Sequence, residues 1–218
     1  MSDVLAPFPF LASEIPGFYL VDKPQTWTSH DVVAKLRGIL KVKKIGHLGT
    51  LDPLATGLLV VAVGRESTKR ISEFMKADKD YEVELELGKV SDTYDSEGVV
   101  QETGFDFSSL DKKLVQETLA SFWGNSMQMP PAYSAKKING KKAYELARAG
   151  KSVELKPVEV TMQGSEVEVD FPFVRFKVTV SSGTYIRSLV HDLGQQLGCG
   201  AILTRLRRTR VGTFKLSN

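Results

Sequence analysis

The residue whose type and surroundings are best suited to chemistry is Asp52, the single carboxylate of the segment Gly46–Leu59. Three glycines and a proline share this segment, which runs directly into an apolar stretch. Glycine allows tight turns and close approach of the backbone to a ligand, and loops held by a sheet often carry functional residues. A carboxylate can form a covalent adduct and then leave again. Local physics alone favours a simpler interpretation, in which Asp52 forms an Asx turn before Pro53.

Two further side chains have an informative placement in the sequence. Tyr81 opens a stretch that alternates up to Leu87, with apolar residues on one face and glutamates on the other, which is typical of a half-buried strand. Arg187 lies beside the apolar stripe of a helix over about 185–197, a position from which it can point into a cleft. By themselves these patterns favour a core aromatic residue and a surface arginine.

The apolar patterns predict the elements that must position these residues. They are strands over 19–23, 58–63, 81–87 and 174–180, and helices from Thr28 and over 68–76, 110–119, 143–149 and 185–197. Pro24 ends the first strand, and Thr28 with Asp31 forms a capping-box pattern at the first helix. Two prolines in Met127–Gly140 predict a loop or an irregular insertion. Because strands and helices are mixed without strict alternation, we expect an α+β fold with a mainly antiparallel, mixed central sheet flanked by helices and loops.

Composition narrows the functional classes. The 218 residues are 42% hydrophobic and 25% charged, which is typical of a globular chain of one large or two small domains. No apolar stretch is long enough to span a membrane, and the first twelve residues lack the features of a secretory signal, so we expect a cytoplasmic protein. Cys199 is the single cysteine, which excludes an internal disulfide, and the three histidines lack metal-ligand spacing.

The distribution of charge is more informative than its total. The net charge of +3 and the pI of about 8.8 are only weakly basic. Basic residues cluster over Arg37–Lys44, Lys136–Lys142 and Arg205–Arg210. Each cluster alone is interpreted as a solvated face, whereas three clusters favour a surface that binds a polyanion.

Several motifs, in order along the chain, resemble those of TruB-type tRNA pseudouridine synthases. They are Asp22–Pro24 with Thr28 and Ser29, Gly46–Leu59, Lys79–Tyr81, Met129–Ala135 with further matches up to Gly150, Ser182–Leu189 and Leu203–Arg208. The resemblance covers roughly residues 17 to 214. Thr26 stands where the family usually has glycine, so we expect a reshaped turn there. Many relatives continue past the position of Asn218 into an RNA-binding domain of the PUA type. We therefore expect one catalytic domain over 1–218, with an RNA-contacting insertion around 125–152 and no C-terminal PUA domain.

The resemblance implies the pseudouridine synthase fold and isomerisation of the T-loop uridine of tRNA, at position 55, without a cofactor or a metal. Asp52 is then the catalytic nucleophile, Arg187 its ion-pair partner, and Tyr81 the residue that stacks on the target base. The enzyme must flip the uridine out of the folded loop before Asp52 can reach it. By resemblance His47 fills the space vacated by flipped bases, and a histidine hydrogen-bonded in a glycine-rich turn is an equal alternative.

The other substrate contacts are also assigned by resemblance. Lys23 and the Lys136–Lys142 group would hold phosphates, which position RNA but specify little. Leu206 would line the base pocket, or be plain core. Three residues of the same motifs complete the expected substrate-binding set, namely Gly49, Thr50 and Tyr185.

Other interpretations stay open. A non-catalytic RNA-binding or RNA-folding protein explains the basic clusters, but it gives no reason for the three candidate catalytic residues to occur together. A metal-dependent nuclease needs clustered carboxylates, and the dense set at Asp92, Asp95 and Glu97 is expected to form a solvated turn. Within the family, the compact chain favours the protein-only bacterial type over relatives that use guide RNAs and partner proteins. We expect a monomer.

Overall fold

The computed structural model describes residues 10–134, 137–138, 141–142 and 155–216. The strands are β1 (Phe10–Ala12), β2 (Phe18–Lys23), β3 (Ile45–His47), β4 (Thr56–Val63), β5 (Lys79–Leu87), β6 (Lys89–Val90), β7 (Gln101–Glu102), β8 (Gly124–Gln128), β9 (Lys137–Ile138), β10 (Lys141–Lys142), β11 (Val158–Asp170), β12 (Phe173–Val180), β13 (Ala201–Val211) and β14 (Phe214–Lys215). The helices are α1 (Ser29–Leu40), α2 (Arg65–Lys69), α3 (Ile71–Phe74), α4 (Lys112–Ala120) and α5 (Ile186–Gln196), with a 3-10 turn at Phe107–Ser109. None of the described helices is long and apolar enough to cross a membrane.

The chain divides into two compact units, of which the first comprises Met1–Lys79 and Arg207–Asn218. Its central strand is β4, which pairs antiparallel with β2 and with β3. The end of β13 runs parallel to the start of β4, with Arg208 opposite Gly57. The sheet of this unit is therefore mixed, and this parallel pair lies beside the first residues of β4.

Apolar side chains of the first unit form one core cluster. Its members are Phe18, Leu48, Leu58, Val60, Ala62, Val211 and Phe214. The ring of Phe74 on α3 packs against two of them, with ring centroids 5.3 Å from Phe18 and 5.2 Å from Phe214. Burial of this apolar surface fixes β4 and the connection that precedes it.

The second unit comprises Asp80–Leu206, and its strands follow the order β13, β5, β12, β11, β8. Strand β11 pairs antiparallel with β12 and with β8. On β5 the buried residues recur at every second position, from Tyr81 to Leu87. Helix α5 buries Ile186, Leu189, Val190 and Leu193. The predicted strand and helix are thus confirmed, because each buries one face at its own period.

The sequence pattern was accurate where local signals were strong. Thr28 caps α1, and both hydrogen bonds of the capping box with Asp31 are formed. The helix predicted over 68–76 is wrong in its bounds, because α2 begins at Arg65 after Gly64 and Arg70 separates it from α3. The predicted helix over 143–149 and most of the insertion around 125–152 lie outside the described residues. The α+β class and the mainly antiparallel, mixed sheet are confirmed, whereas the single catalytic domain stays a prediction.

Candidate active site

Asp52 lies in the connection between β3 and β4, and buried leucines hold this connection in place. Leu48, Leu51 and Leu54 are at most 5% exposed, while Asp52 itself is half-buried. The backbone turns at this point, because the amide of Ala55 donates to the carbonyl oxygen of Asp52 at 3.1 Å. The alternation of buried leucines with a half-buried carboxylate presents Asp52 at the rim of a rigid loop, which we call the Asp52 loop (residues 48–55).

The first turn of α1 fastens the residue that precedes Asp52. The buried hydroxyl of Ser29 accepts a hydrogen bond from the amide of Leu51 at 2.9 Å, and it lies 3.2 Å from the carbonyl oxygen of Leu51, to which it donates. Ser29 thus satisfies both backbone groups of Leu51. In the sequence, Ser29 was notable only because it follows the capping residue Thr28.

Lys23 binds the backbone of its own turn and of the Asp52 loop. Its ammonium group is fully buried and donates to the carbonyl oxygens of Pro24, Trp27 and Pro53 at 2.9, 2.6 and 3.3 Å. These bonds join the turn of Lys23 to Pro53 of the Asp52 loop. Contact of Lys23 with a phosphate of the substrate stays a prediction.

The turn after Pro24 keeps a conformation that favours glycine. Thr26 has φ +71°, in the left-handed region, where a β-branched residue is strained. Its amide donates to the carbonyl oxygen of Pro53 at 2.9 Å. The turn is thus held against the Asp52 loop despite the threonine.

Arg208 holds both ends of the connection that carries Asp52. Its guanidinium is 1% exposed and donates from Nε to the carbonyl oxygen of Leu58 at 2.8 Å and from Nη2 to that of Gly49 at 3.1 Å. Gly57 makes this approach possible, because a Cβ there would lie 2.3 Å from the carbonyl oxygen of Arg208. The sequence showed Arg208 only as part of a basic cluster.

His47 ends β3 immediately before the Asp52 loop. Its Nδ1 atom is buried and has no hydrogen-bond partner among the described residues. Burial lowers the pKa of His47, and the positive charge of Arg208 lowers it further. The environment therefore favours the neutral imidazole. Thr50 is exposed and Gly49 is half-buried on the same loop.

In the second unit, Arg187 lies in the first turn of α5 and is 6% exposed, so the interpretation as a surface arginine is wrong. It donates from Nη1 to the carbonyl oxygen of Thr93 at 3.0 Å and from Nη2 to that of Tyr133 at 2.9 Å. Its Nε lies 3.6 Å from Oδ2 of Asp95. These contacts fix the plane of the guanidinium. The predicted pairing of Arg187 with Asp52 stays a prediction.

Asp95 is 3% exposed, so the expected solvated turn is wrong for this residue. Its carboxylate accepts hydrogen bonds from the hydroxyl of Thr93 and, at 3.0 Å, from the amide of Glu97, besides its ion pair with Arg187. Tyr94 next to it has φ +65°, and its ring stacks on His191 of α5 with centroids 3.8 Å apart. The loop is therefore attached to α5 at two points, through Arg187 and through His191.

The other candidates of the second unit lie on three of its elements. Tyr81 is buried on the apolar face of β5, as predicted, and Leu206 is buried on the neighbouring strand β13. Tyr185 precedes α5, and the amide side chain of Gln128 binds both its N–H, at 2.8 Å, and its carbonyl oxygen, at 3.0 Å. Sequence reasoning missed Gln128. Stacking of Tyr81 on a base and contact of Leu206 and Tyr185 with substrate stay predictions.

The candidate residues thus form two groups. The first unit brings together His47, Gly49, Thr50 and Asp52, with Lys23 attached through Pro53. The second contains Tyr81, Tyr185, Arg187 and Leu206. Within the described residues, no group of three or more histidine, cysteine, aspartate or glutamate side chains could hold a metal ion.

Comparison with known proteins defines the class. The chain superposes on a protein chain in a crystal structure of a Cbf5–Nop10–Gar1 complex, with a TM-score of 0.71 and 32% identity over 92% of this chain. That alignment spans half of the solved chain. Such a match places this α+β sheet in the pseudouridine synthase fold.

The family follows from sequence models and relatives. The N-terminal domain model of the TruB family of pseudouridylate synthases matches residues 37–186, and a model of the tRNA pseudouridylate synthase B C-terminal domain matches residues 187–218. A tRNA pseudouridine synthase B of Protochlamydia amoebophila is 46% identical over 94% of this chain and 78% of its own length. One of Opitutus terrae is 44% identical over 94% of this chain and 85% of its own length. The chain belongs to the TruB family of pseudouridylate synthases.

Proposed function

We propose that this protein isomerises a uridine of tRNA to pseudouridine, with the uridine at position 55 of the T stem-loop as its target. The observation that carries the proposal is the construction of the Asp52 loop. Ser29, Lys23 and Arg208 each hold its backbone, and the carboxylate stays half-buried at the rim. A loop fixed from three sides is suited to a reaction that needs one nucleophile in one place. The relatives named tRNA pseudouridine synthase B support tRNA as the substrate.

The reaction needs only rearrangement of bonds. Asp52 forms an adduct with the nucleoside, at C1′ of the ribose or at C6 of the base, and the C1′–N1 bond breaks. The base then turns, C5 bonds to C1′, and Asp52 leaves. C5 loses a proton and N1 gains one, so no oxidant, reductant or cofactor is required.

The other residues act before and around this step. The uridine must leave the stack of the loop, which costs about a few kcal/mol, and neutral His47 supplies a flat surface for the space it vacates. Tyr81 offers an aromatic face on which the flipped base can stack. Stacking suits any base, so it contributes more to affinity than to selectivity for uridine. Arg187 is a permanent cation, and a nearby cation favours the ionised form of a carboxylate. Asp95 acts as a positioning residue through Arg187.

The test is release of tritium from tRNA labelled at C5 of uridine, because C5 loses its hydrogen in this reaction. Native protein should release tritium from the T-loop uridine, and Asp52→Asn should release none. Asp170→Asn, which changes an exposed aspartate, is the matched control and should behave like native protein. Release that persists in Asp52→Asn would remove the nucleophile role. Native protein that binds tRNA but releases no tritium would favour the alternative interpretation, a non-catalytic RNA-binding protein.

Three finer parts of the proposal have their own measurements. A protein-only monomer should elute at the mass of one chain and need no guide RNA for activity. Activity should persist after treatment with a chelator, which a metal-dependent nuclease would not allow. A cytoplasmic site of action is proposed with the tRNA substrate, and cell fractionation tests it.

A further inference from the structure

Three basic side chains of the first unit converge on the backbone of Gly49, where the Asp52 loop begins. A Cβ built on Gly49 would lie 3.4 Å from Nη1 of Arg208 and 3.6 Å from Cε of Lys79. Arg208 also donates to the carbonyl oxygen of Gly49, and its charge acts on both His47 and Lys79. We call His47, Lys79 and Arg208 the Gly49 cluster.

No carboxylate neutralises this cluster within the part of the chain that the structure describes. The hydrogen bonds of Arg208 go to two backbone carbonyls, and that of Lys79 goes to the carbonyl oxygen of Ala77 at 2.6 Å. The exposed Asp78 is the one acid that favours the charge of Lys79, and burial and Arg208 oppose it more strongly. Buried cations are normally paired, because desolvation of an unpaired charge is costly.

The cluster has unused donors. An ammonium group carries three N–H donors, and one of those of Lys79 is used by Ala77. Nδ1 of His47 is buried without a hydrogen-bond partner among the described residues, and it can donate whenever the ring is protonated, since both ring nitrogens of an imidazolium carry N–H groups. Gly49 has φ +77° and no side chain, so a ligand can approach the backbone closely at this point. Positive charge, spare donors and an open backbone together are what an anion needs.

We propose that the Gly49 cluster is an anion site that binds a backbone phosphate of the substrate RNA beside the Asp52 loop. Lys79 makes the direct contact, His47 contributes a ring nitrogen, and buried Arg208 supplies charge while it holds the Gly49 carbonyl. This inference rests on the proposed function for the identity of the anion. Its chemical consequence is that one phosphate sets the register of the RNA strand against Asp52.

The first experiment measures the salt dependence of RNA binding. A T stem-loop RNA is titrated at several salt concentrations with Asp52→Asn protein, in which turnover cannot alter the ligand. Adding Lys79→Gln should weaken binding and lower the slope of log K against log salt by about 0.7 to 1, as expected for one lost phosphate contact. Lys79→Arg should restore the slope. Lys76→Gln, which removes an exposed lysine of the same unit, is the matched control and should leave it unchanged.

The second experiment reports on the site directly. A neighbouring anion favours protonated imidazole, so the pKa of His47 in an NMR titration should rise when the RNA binds, and less so in Lys79→Gln. Inorganic phosphate as a separate probe distinguishes a free anion from the RNA backbone, because the proposal requires the larger rise with RNA. Assignment of the His47 signal comes from His47→Asn.

Failure of this inference can be told apart from failure of the proposed function. An equal slope for Lys79→Gln and Lys76→Gln, or an unchanged pKa of His47 in the RNA complex, overturns the anion site even if native protein releases tritium. If native protein shows the expected slope and pKa effects but releases no tritium, the anion site is supported and the proposed function is refuted. A melting temperature for each variant shows that the comparison is made on folded protein.

Discussion

Replacing Asp95 with asparagine removes one negative charge from a buried ion pair and keeps the shape of the side chain. Asp95 and Arg187 have side chains that are 4% and 7% exposed, with 3.6 Å between Oδ2 and Nε. The side-chain oxygen of asparagine can still accept the hydrogen bond from the amide of Glu97. The guanidinium keeps its two backbone acceptors, at Thr93 and Tyr133, so the change isolates the charge of Asp95.

The expected cost is large because the pair is buried. Removing one partner of a buried pair costs about 3–5 kcal/mol, and we expect the low end, about 3 kcal/mol, since the hydrogen bonds of Arg187 remain. For a chain of this size that corresponds to a melting temperature about 6 to 12 °C lower. Loss of the carboxylate at Nε should leave the guanidinium less firmly oriented even with its bonds to Thr93 and Tyr133, and should lower kcat by about ten- to a hundredfold with little effect on KM. Initial rates of tritium release at several tRNA concentrations, well below the melting temperature of the variant, give kcat and KM separately.

The matched control is Asp92→Asn in the same loop. Asp92 is exposed, and its carboxylate accepts a hydrogen bond from the amide of Val99 at 2.9 Å. It should stay within about 1 kcal/mol of native stability and keep native kcat. An Asp95→Asn protein that melts like native and turns over within twofold of it would refute the view that Asp95 orients Arg187. Loss of stability with an unchanged kcat would leave Asp95 a purely structural role.

Three further predictions concern the first unit. Gly57→Ala should lower the free energy of unfolding, measured in urea, by about 3 kcal/mol or more, because φ is +92° and the new Cβ would meet the backbone of Arg208. The control is Gly38→Ala in α1, where a Cβ meets nothing within 4 Å, and it should stabilise the protein by about 0.5–1 kcal/mol. Thr26→Gly should stabilise by about 0.5–1 kcal/mol, because relief of about 1–2 kcal/mol of left-handed strain exceeds the added entropy of the unfolded chain, and an equal or lower unfolding midpoint would contradict this. The pKa of His47 lies below its ordinary value of 6.5, so the unfolded chain binds that proton more tightly. The free energy of unfolding should therefore fall as the pH drops below 6.5, and His47→Asn should show a smaller fall.

The sequence predicted those features whose causes lie within a few residues. The capping box of Thr28 and Asp31 and the alternation from Tyr81 to Leu87 depend on near neighbours, and both are confirmed. The bounds of α2 and α3 were missed because a single residue, Arg70, separates two short helices. No periodicity distinguishes one interrupted helix from one continuous helix over so few residues.

The partners of the buried charges could not be predicted in this way, and Lys23, Arg208 and Asp95 show why. The acceptors of Lys23 include Pro53, 30 positions away, those of Arg208 include Leu58, 150 positions away, and Asp95 is buried under an arginine of α5. Their residue types alone favour solvated surface, since lysine, arginine and aspartate are seldom buried unless they are paired.

The sequence does not show which group each buried charge contacts. Two of these three partners, those of Lys23 and Arg208, are backbone carbonyls, which every residue type carries. Resemblance to a family could point to Asp52 and Arg187, but it could not state that one arginine and one lysine hold the Asp52 loop through its main chain. A backbone-mediated role tolerates change of the residues whose carbonyls are used and not of the charged residue itself. Arg208→Lys should therefore weaken the attachment of the Asp52 loop, because a single ammonium group cannot reproduce the two directed hydrogen bonds to Gly49 and Leu58. The identity of the residue at position 58, in contrast, matters only for packing.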